Sequence, residues 1–228
     1  MTIAIVGYGK MGRLIERIAL ERGHTVSLKL DEFNNAGYSG ITAENFRGVD
    51  TAIDFSVPDA AVENMLRISA LGVNVVQGTT GWTSQIPQIR AAIERADTGL
   101  VWSPNYSIGV HIFSRVVALA AKLMANEAEY EAWAWEIHHS AKKDSPSGTL
   151  LKLVAEMKQA GFNSPVDTSS SRAGKVPGTH EIGFDSAADT ITLRHTARSR
   201  EGFAVGAVKA AEWINGKKGF YEFAEILF

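Results

Sequence analysis

From its first residues the chain alternates short apolar runs with longer stretches in which apolar residues recur every three or four positions. Residues 3–6 are apolar throughout, as expected of a parallel strand buried on both faces. Met11, Leu14, Ile15, Ile18 and Ala19 then follow helical spacing, and Gly23 predicts the stop. Residues 25–30 and 51–55 predict a second and a third strand. Pro58 opens a helix carrying Val62, Met65, Leu66 and Ile68, and residues 73–76 predict a fourth strand closed by Gly78-Thr79-Thr80-Gly81. A helix over about 84–95 and a fifth strand at 99–102 complete the series. Strands and helices alternating at this pace predict an α/β fold, a doubly wound parallel sheet of Rossmann type.

The rhythm changes after Pro104-Asn105. A long helix at about 108–124 is predicted, with an apolar stripe through Ile112, Val116, Leu119 and Leu123. A strand at 130–139 follows, then a helix around Lys152, Val154 and Met157 that stops at Gly161. Two further strands are expected at 179–184 and 190–196, joined by a turn at Ala187-Ala188-Asp189. These elements predict a second, α+β domain. The last helix, about 204–214, is expected to pack back on the first domain, so the division is 1–106 with about 200–228, and 107–199. The only low-complexity patch is Thr168-Ser169-Ser170-Ser171, and no internal repeat is evident.

Composition narrows the partners. The 228 residues are 45% hydrophobic and 21% charged, with a net charge of −2, so no strong field favours nucleic acid or an anionic membrane. Cysteine is absent, which excludes disulfides, thiolate catalysis and cysteine-ligated zinc. No metal site is expected. No apolar run reaches the roughly 18 residues of a membrane span. The first strand runs straight into a glycine loop, which leaves no room for a signal sequence, so a cytoplasmic protein is expected.

Gly7-Tyr8-Gly9-Lys10-Met11-Gly12 matches G-x-G-x-x-G. The first glycine permits a tight turn, the second lets backbone approach a pyrophosphate, and the third allows helix to pack close on strand. Alone the motif is weak, and a structural turn is the competing reading. Here it lies between a predicted strand and helix, and Asp31 ends the next strand about 20 residues on, as a dinucleotide site requires. Asp31 is expected to accept hydrogen bonds from a ribose 2′-hydroxyl, which favours NADH over NADPH. Glu32 adds charge against a 2′-phosphate; Lys10 and Lys29 are cations within possible reach of one. Gly78, Thr79 and Thr80, and Ser103, Pro104, Asn105 and Tyr106, follow the fourth and fifth strands. Ligands of open α/β sheets bind outside those ends, so both loops are candidates for the nicotinamide half; ordinary turns are the alternative.

The segment from His138 to Thr149 concentrates the remaining chemistry. It holds His138, His139, Lys142 and Lys143, then Ser147-Gly148-Thr149 at a predicted helix start. Strand alternation puts Glu136 and His138 on one face and Trp133, Trp135, Ile137 and His139 on the other. The two histidines therefore meet one ligand only if the strand ends there. Ser147 is expected to cap the helix, leaving Gly148 and Thr149 N–H groups free for an anion such as a carboxylate. Imidazole and ammonium side chains beside such a nest suit proton transfer to a small dicarboxylate. Structural histidines and a plainly capped helix are the bland alternatives.

The block Glu136-Ile137-His138-His139-(x)2-Lys142-(x)-Asp144-(x)-Pro146-Ser147-Gly148-Thr149 resembles the signature of the dihydrodipicolinate reductases, also called 4-hydroxy-tetrahydrodipicolinate reductases. Asp54-Phe55-Ser56-(x)-Pro58, Gly78-Thr79-Thr80-Gly81, Pro104-Asn105-Tyr106-Ser107-(x)-Gly109-Val110 and Arg200-(x)2-Phe203-Ala204-(x)-Gly206-Ala207 resemble further family blocks in the same order. The resemblance spans the chain. It implies an NAD(P)H-dependent reductase of lysine and diaminopimelate synthesis, acting on a small cyclic dicarboxylate. Its residues would be His138 and Lys142 for acid chemistry; His139, Ser147, Gly148 and Thr149 for substrate; and residues 7–12, Asp31, 78–80 and 103–106 for cofactor. It also implies a homotetramer formed through the second domain, which would bind substrate and carry the oligomer contacts. The chain looks short for the family, and Asp31-Glu32 lacks a following arginine found in some members that use both cofactors. The competing functions are another small NAD(P)-dependent dehydrogenase and a non-catalytic dinucleotide sensor. Neither requires the His-His…Lys…Ser-Gly-Thr block.

Overall fold

A computed structural model describes residues 1–228 as two compact units, Met1–Ile108 with Glu201–Phe228, and Gly109–Arg200. In chain order the first unit lays down β1 (Thr2–Val6), α1 (Lys10–Glu21), β2 (Thr25–Leu30), β3 (Thr51–Asp54), α2 (Pro58–Ala70), β4 (Asn74–Gln77), α3 (Ile86–Ala96) and β5 (Gly99–Trp102). The second contains α4 (Ile108–Met124), β6 (Glu131–His138), α5 (Gly148–Gln159), β7 (Val166–Arg172), β8 (Thr179–Asp185) and β9 (Thr190–Thr196). The chain then returns to the first unit through α6 (Glu201–Ile214), β10 (Gly219–Glu222) and α7 (Phe223–Ile226).

In the first unit six strands run parallel in the order β10-β5-β4-β3-β1-β2. The strands are apolar because both faces are covered. Ala4, Val6, Val75 and Leu100 pack with Met65 and Ile68 of α2 and Ile89 and Ile93 of α3. Ile3, Ile5, Ile53 and Val101 pack on the other side with Ile15 and Ile18 of α1 and Val208 and Ile214 of α6. This is the doubly wound arrangement the alternation of elements predicts, with the last helix on the first sheet as expected. The chain reverses direction across the sheet between β1 and β3, where such folds open a crevice beyond the carboxyl ends of the strands.

The second unit is a four-stranded sheet in the order β7-β6-β8-β9. β6 pairs parallel with β7 and antiparallel with β8, which pairs antiparallel with β9. One face of β6 supplies Ala132 and Ala134 to a core shared with Phe113 and Val117 of α4, Leu150, Leu153 and Met157 of α5, and Ile182 and Phe184 of β8.

Two features depart from the sequence reading. α4 forms where predicted, but the stripe Ile112, Val116, Leu119 and Leu123 is exposed. The face turned to the core carries Phe113, Val117 and Ala121, with His111 and Ser114 buried beside them. The helix is apolar on two sides, so spacing alone did not say which side the sheet takes. β7 and β10 were not predicted. β7 reads Val-Asp-Thr-Ser-Ser-Ser-Arg, a polar run with no alternation, and is held by its parallel ladder to β6. β10 has four residues and adds an edge to β5.

Candidate active site

In the first unit a cavity of about 740 Å³ opens at the carboxyl ends of β1, β2 and β3. Gly7, Tyr8, Gly9 and Arg13 line one side, Asp31 to Phe33 and Tyr38 another, and Phe55 to Val57 the floor. Gly7 adopts a φ of +87°, and any side chain there would collide with the Phe55 carbonyl. The Gly7 and Tyr8 N–H groups both donate to the Leu30 carbonyl at 2.9 Å, which fixes the loop against the end of β2.

Asp31 accepts the Phe33 and Asn34 N–H groups on Oδ1, at 2.9 and 3.1 Å, and leaves Oδ2 without a hydrogen bond. Lys29 is ion-paired with Glu16 at 2.9 Å, and Glu16 also accepts the Tyr8 hydroxyl. That hydroxyl and Lys29 hold the Glu16 carboxyl below its ordinary range.

The remaining loop residues divide. Lys10, Met11 and Gly12 belong to α1, with Gly12 buried, and none of the three lines the cavity. Gly78, Thr79 and Thr80, and Ser103 to Asn105, lie at the ends of β4 and β5 as expected, outside the cavity lining. The Thr79 N–H donates to Gln77 and the Ser103 hydroxyl to the Asn105 carbonyl. Tyr106 is buried, its hydroxyl bonded to the Gln77 and Val101 carbonyls at 3.0 Å each; burial raises this phenol well above its usual range. Its side chain packs between Phe55 and Phe223.

In the second unit β6 ends at His138, so His139 starts the following turn and the strict alternation of faces lapses where required. Alternate residues Ala132, Ala134, Glu136 and His138 are all buried. A carboxylate on a buried face needs donors, and Glu136 has them. Its Oε1 accepts the Ser147 N–H at 2.8 Å, the Arg172 guanidinium at 2.9 Å and the Ser170 hydroxyl at 3.0 Å. Oε2 accepts the Ser147 hydroxyl and faces His138 Nδ1 at 3.5 Å and His180 Nε2 at 3.4 Å. Burial alone would raise the Glu136 pKa; these donors overcome it and lower it to about 2.

The imidazoles show the opposite balance. Burial, with His138 beside it, lowers His180 to about 4, and burial also lowers His138 against the pull of Glu136. The two rings meet edge to face at 5.0 Å. Glu136, His138 and His180 have the donor types of a cation site, with ligand atoms within 4.8 Å of one another. The positive charge beside this carboxylate is instead the Arg172 guanidinium.

Lys142 is half-buried and pairs with the exposed Asp144 at 2.8 Å. Ser147 caps α5, its hydroxyl accepting the Leu150 N–H at 3.2 Å. Buried against Glu136, it anchors the helix start. Gly148 is exposed and Thr149 half-buried on the first turn of α5. The structure thus gathers His138, Glu136 and the Ser147 cap in one network. Arg172 and His180 join it without having been singled out from the sequence: Arg172 closes the unpredicted β7, and His180 lies on β8 opposite Glu136. A buried face bearing Glu136 was the available signal that a cation would be found there.

Comparison with known proteins covers both units. The family models described as dihydrodipicolinate reductase, N-terminus and C-terminus, match residues 1–106 and 109–227. A 4-hydroxy-tetrahydrodipicolinate reductase of Christiangramia forsetii is 36% identical over all of this chain and 98% of that protein. One from Archaeoglobus fulgidus is 35% identical over the whole of both. The second alignment runs to 260 positions against the 228 residues of this chain, so this chain is the shorter of the two, as the sequence reading expects. Among solved structures, a dipicolinate-bound dihydrodipicolinate reductase from Paenisporosarcina sp. TG-14 shares the fold with a TM-score of 0.81, at 22% identity over 99% of each chain. An engineered D-amino acid dehydrogenase with bound NADP⁺ follows at a TM-score of 0.60 and 13% identity, covering 99% of this chain and 93% of that one. With both halves matched and relatives aligned from end to end, the chain belongs to the dihydrodipicolinate reductase family.

Proposed function

We propose that the protein reduces 4-hydroxy-tetrahydrodipicolinate to tetrahydrodipicolinate with a reduced nicotinamide cofactor, in diaminopimelate and lysine synthesis. The observation that carries this reading is the family match, which runs through both units and includes the block from Glu136 to Thr149. The cytoplasm, a homotetramer and a small cyclic dicarboxylate substrate belong to the same proposal.

The cavity beside the glycine loop suits a dinucleotide: it lies at the strand-order reversal, and Asp31 Oδ2 is unpartnered. When bound, the cofactor supplies the hydride. Asp31 would bind a ribose hydroxyl, and Arg13 is the cation lining the cavity near the pyrophosphate-binding loop. NADH is the preferred form in this reading. Lys29 is occupied by Glu16, and Glu32 sets a second negative charge where a 2′-phosphate would lie.

On the substrate side, the N–H groups at the start of α5 and the Thr149 hydroxyl hold a carboxylate, with His139 beside them. Loss of the 4-hydroxyl as water leaves a ring with a C3=C4 double bond conjugated to the ring imine; hydride addition at C4 then drives negative charge toward the ring nitrogen, and a proton is added at C3. Lys142, as an ammonium, stabilises that charge and donates the proton, and His138 is its partner or the alternative donor.

The test is to mix the protein with pyruvate, aspartate semialdehyde and the aldolase that condenses them, and to follow oxidation of NADH and of NADPH by absorbance. Oxidation that requires every component is expected, faster with NADH. Cofactor binding without any oxidation would leave a sensor or another dehydrogenase.

A further inference from the structure

Glu136 is the only carboxylate in the network of the second unit whose side chain is wholly buried, and it meets four elements at once. It lies on β6, two residues from His138. Through Ser147 N–H and hydroxyl it fixes the cap of α5. Through Arg172 it holds β7, and the same guanidinium nitrogen donates to the Asp144 carbonyl, two residues beyond Lys142. Through Oε2 it faces His180 of β8. The loop from His139 to Ser147, which carries Lys142, is thus pinned near both ends to one carboxylate.

His138 supplies the complement. Its Nδ1 is buried and has no hydrogen-bond partner, and the nearest acceptor is Glu136 Oε2 at 3.5 Å. Its Nε2 lies on the side of Gly178, where a side chain's Cβ would come within 2.9 Å. A ring that keeps its proton on Nδ1, toward the carboxylate, presents an unprotonated Nε2 on the opposite side. The tautomer of a histidine is set by the partner of its other nitrogen.

We propose that Glu136 is a positioning residue of the active site, directing the proton of His138 to Nδ1 while fixing the α5 cap and, through Arg172, the loop that carries Lys142. This rests on the reductase reading for its effect on turnover, but the histidine tautomer is independent of it. The charged and titratable groups facing His138 are Glu136 on its own strand, Lys142 and Asp144 from the loop, Arg172 from β7 and His180 from β8. His195 of β9 bears on His180.

The first measurement is nitrogen–proton correlation NMR of the histidine rings in the full-length wild-type protein. His138 is expected as the Nδ1–H tautomer when neutral; an Nε2–H tautomer overturns the proposal. The second is kinetics of Glu136→Gln and Glu136→Asp. Glu136→Gln is expected to lower kcat roughly 10-fold to 100-fold, as lost second-layer support does. It should raise KM for the substrate through the loosened α5 cap and leave NADH binding unchanged. Removing the negative charge makes His138 harder to protonate, so any limb of the pH profile that reports His138 moves to lower pH. Glu136→Asp should recover part of the loss. A Glu136→Gln enzyme with wild-type kcat and an unmoved profile also overturns the proposal. If Glu136→Gln does not fold, the wild-type tautomer decides. If the wild type oxidises no cofactor with the substrate present, the functional reading fails while the tautomer still judges Glu136.

Discussion

Lys142 and Gly178 show how single residues set the chemistry. Lys142 is half-buried and its ammonium rests against Asp144, a partner exposed enough to be exchanged for a substrate. Lys142→Ala is expected to cut turnover by about 10²-fold or more, the usual contribution of a general acid, with NADH affinity unchanged by calorimetry. Turnover within a few-fold of wild type would remove Lys142 from the proton step. Gly178 has a φ of +151° and lies against His138 Nε2. Gly178→Ala puts a side chain at a φ that favours glycine and forces either the ring or the strand to move, so the melting temperature and kcat should both fall; unchanged kcat would show that the Nε2 side of the ring takes no part. Of these residues, the sequence marks Lys142 through its block, and leaves Gly178 unmarked. Nothing local announces that a glycine forty positions away will face His138, because that contact is made across paired strands. Glu136 stands between the two cases. Its place on the buried face of β6 follows from alternation, but its partners Arg172 and His180 come from strands whose order the sequence does not state.

At the scale of elements, the legible parts are those whose pattern has one solution. β2, β5, α4 and β9 occupy the residues predicted for them, because apolar runs and caps there agree. β7 was missed because its stability comes from the ladder it makes with β6, a property of the pair. α4 shows a subtler gap: its limits were legible and its facing was not. The two sides make a direct test. Phe113→Ala, on the core side, should cost about 3–5 kcal/mol, the usual loss for a buried aromatic. Leu119→Glu, on the exposed stripe, should stay within about 0.5 kcal/mol by denaturant unfolding. A large loss from Leu119→Glu would mean that the stripe is covered in solution, as a tetramer contact would cover it.

For the whole molecule, the buried polar network ties stability to pH. In the unfolded chain His180 takes up a proton near 6.5, and in the fold only near 4, so acidification through this window favours unfolding. Glu136 continues the trend: it is ionised in the fold down to about 2, against 4.5 unfolded, and that stabilisation disappears as pH falls across the interval. The melting temperature should therefore fall steadily from neutrality to about pH 4. His180→Gln should flatten that part of the curve, and an unchanged slope would show that other groups govern it.

The return of the chain to its first unit carries a consequence for synthesis. Ala204, Ala207, Val208, Ala211 and Ile214 of α6 are fully buried against the sheet, and β10 completes its edge. Residues 1–108 leave the ribosome long before these do, so the dinucleotide-binding half waits with one face of its sheet covered by α1 alone. The inserted unit, continuous in sequence from Gly109 to Arg200, has all its strands available earlier. A chain terminated and released after residue 200 is expected to contain a protease-resistant second unit beside a protease-sensitive first one, and the ability to retain NADH should arrive abruptly with the final thirty or so residues. The half of the enzyme made first would then be the half finished last.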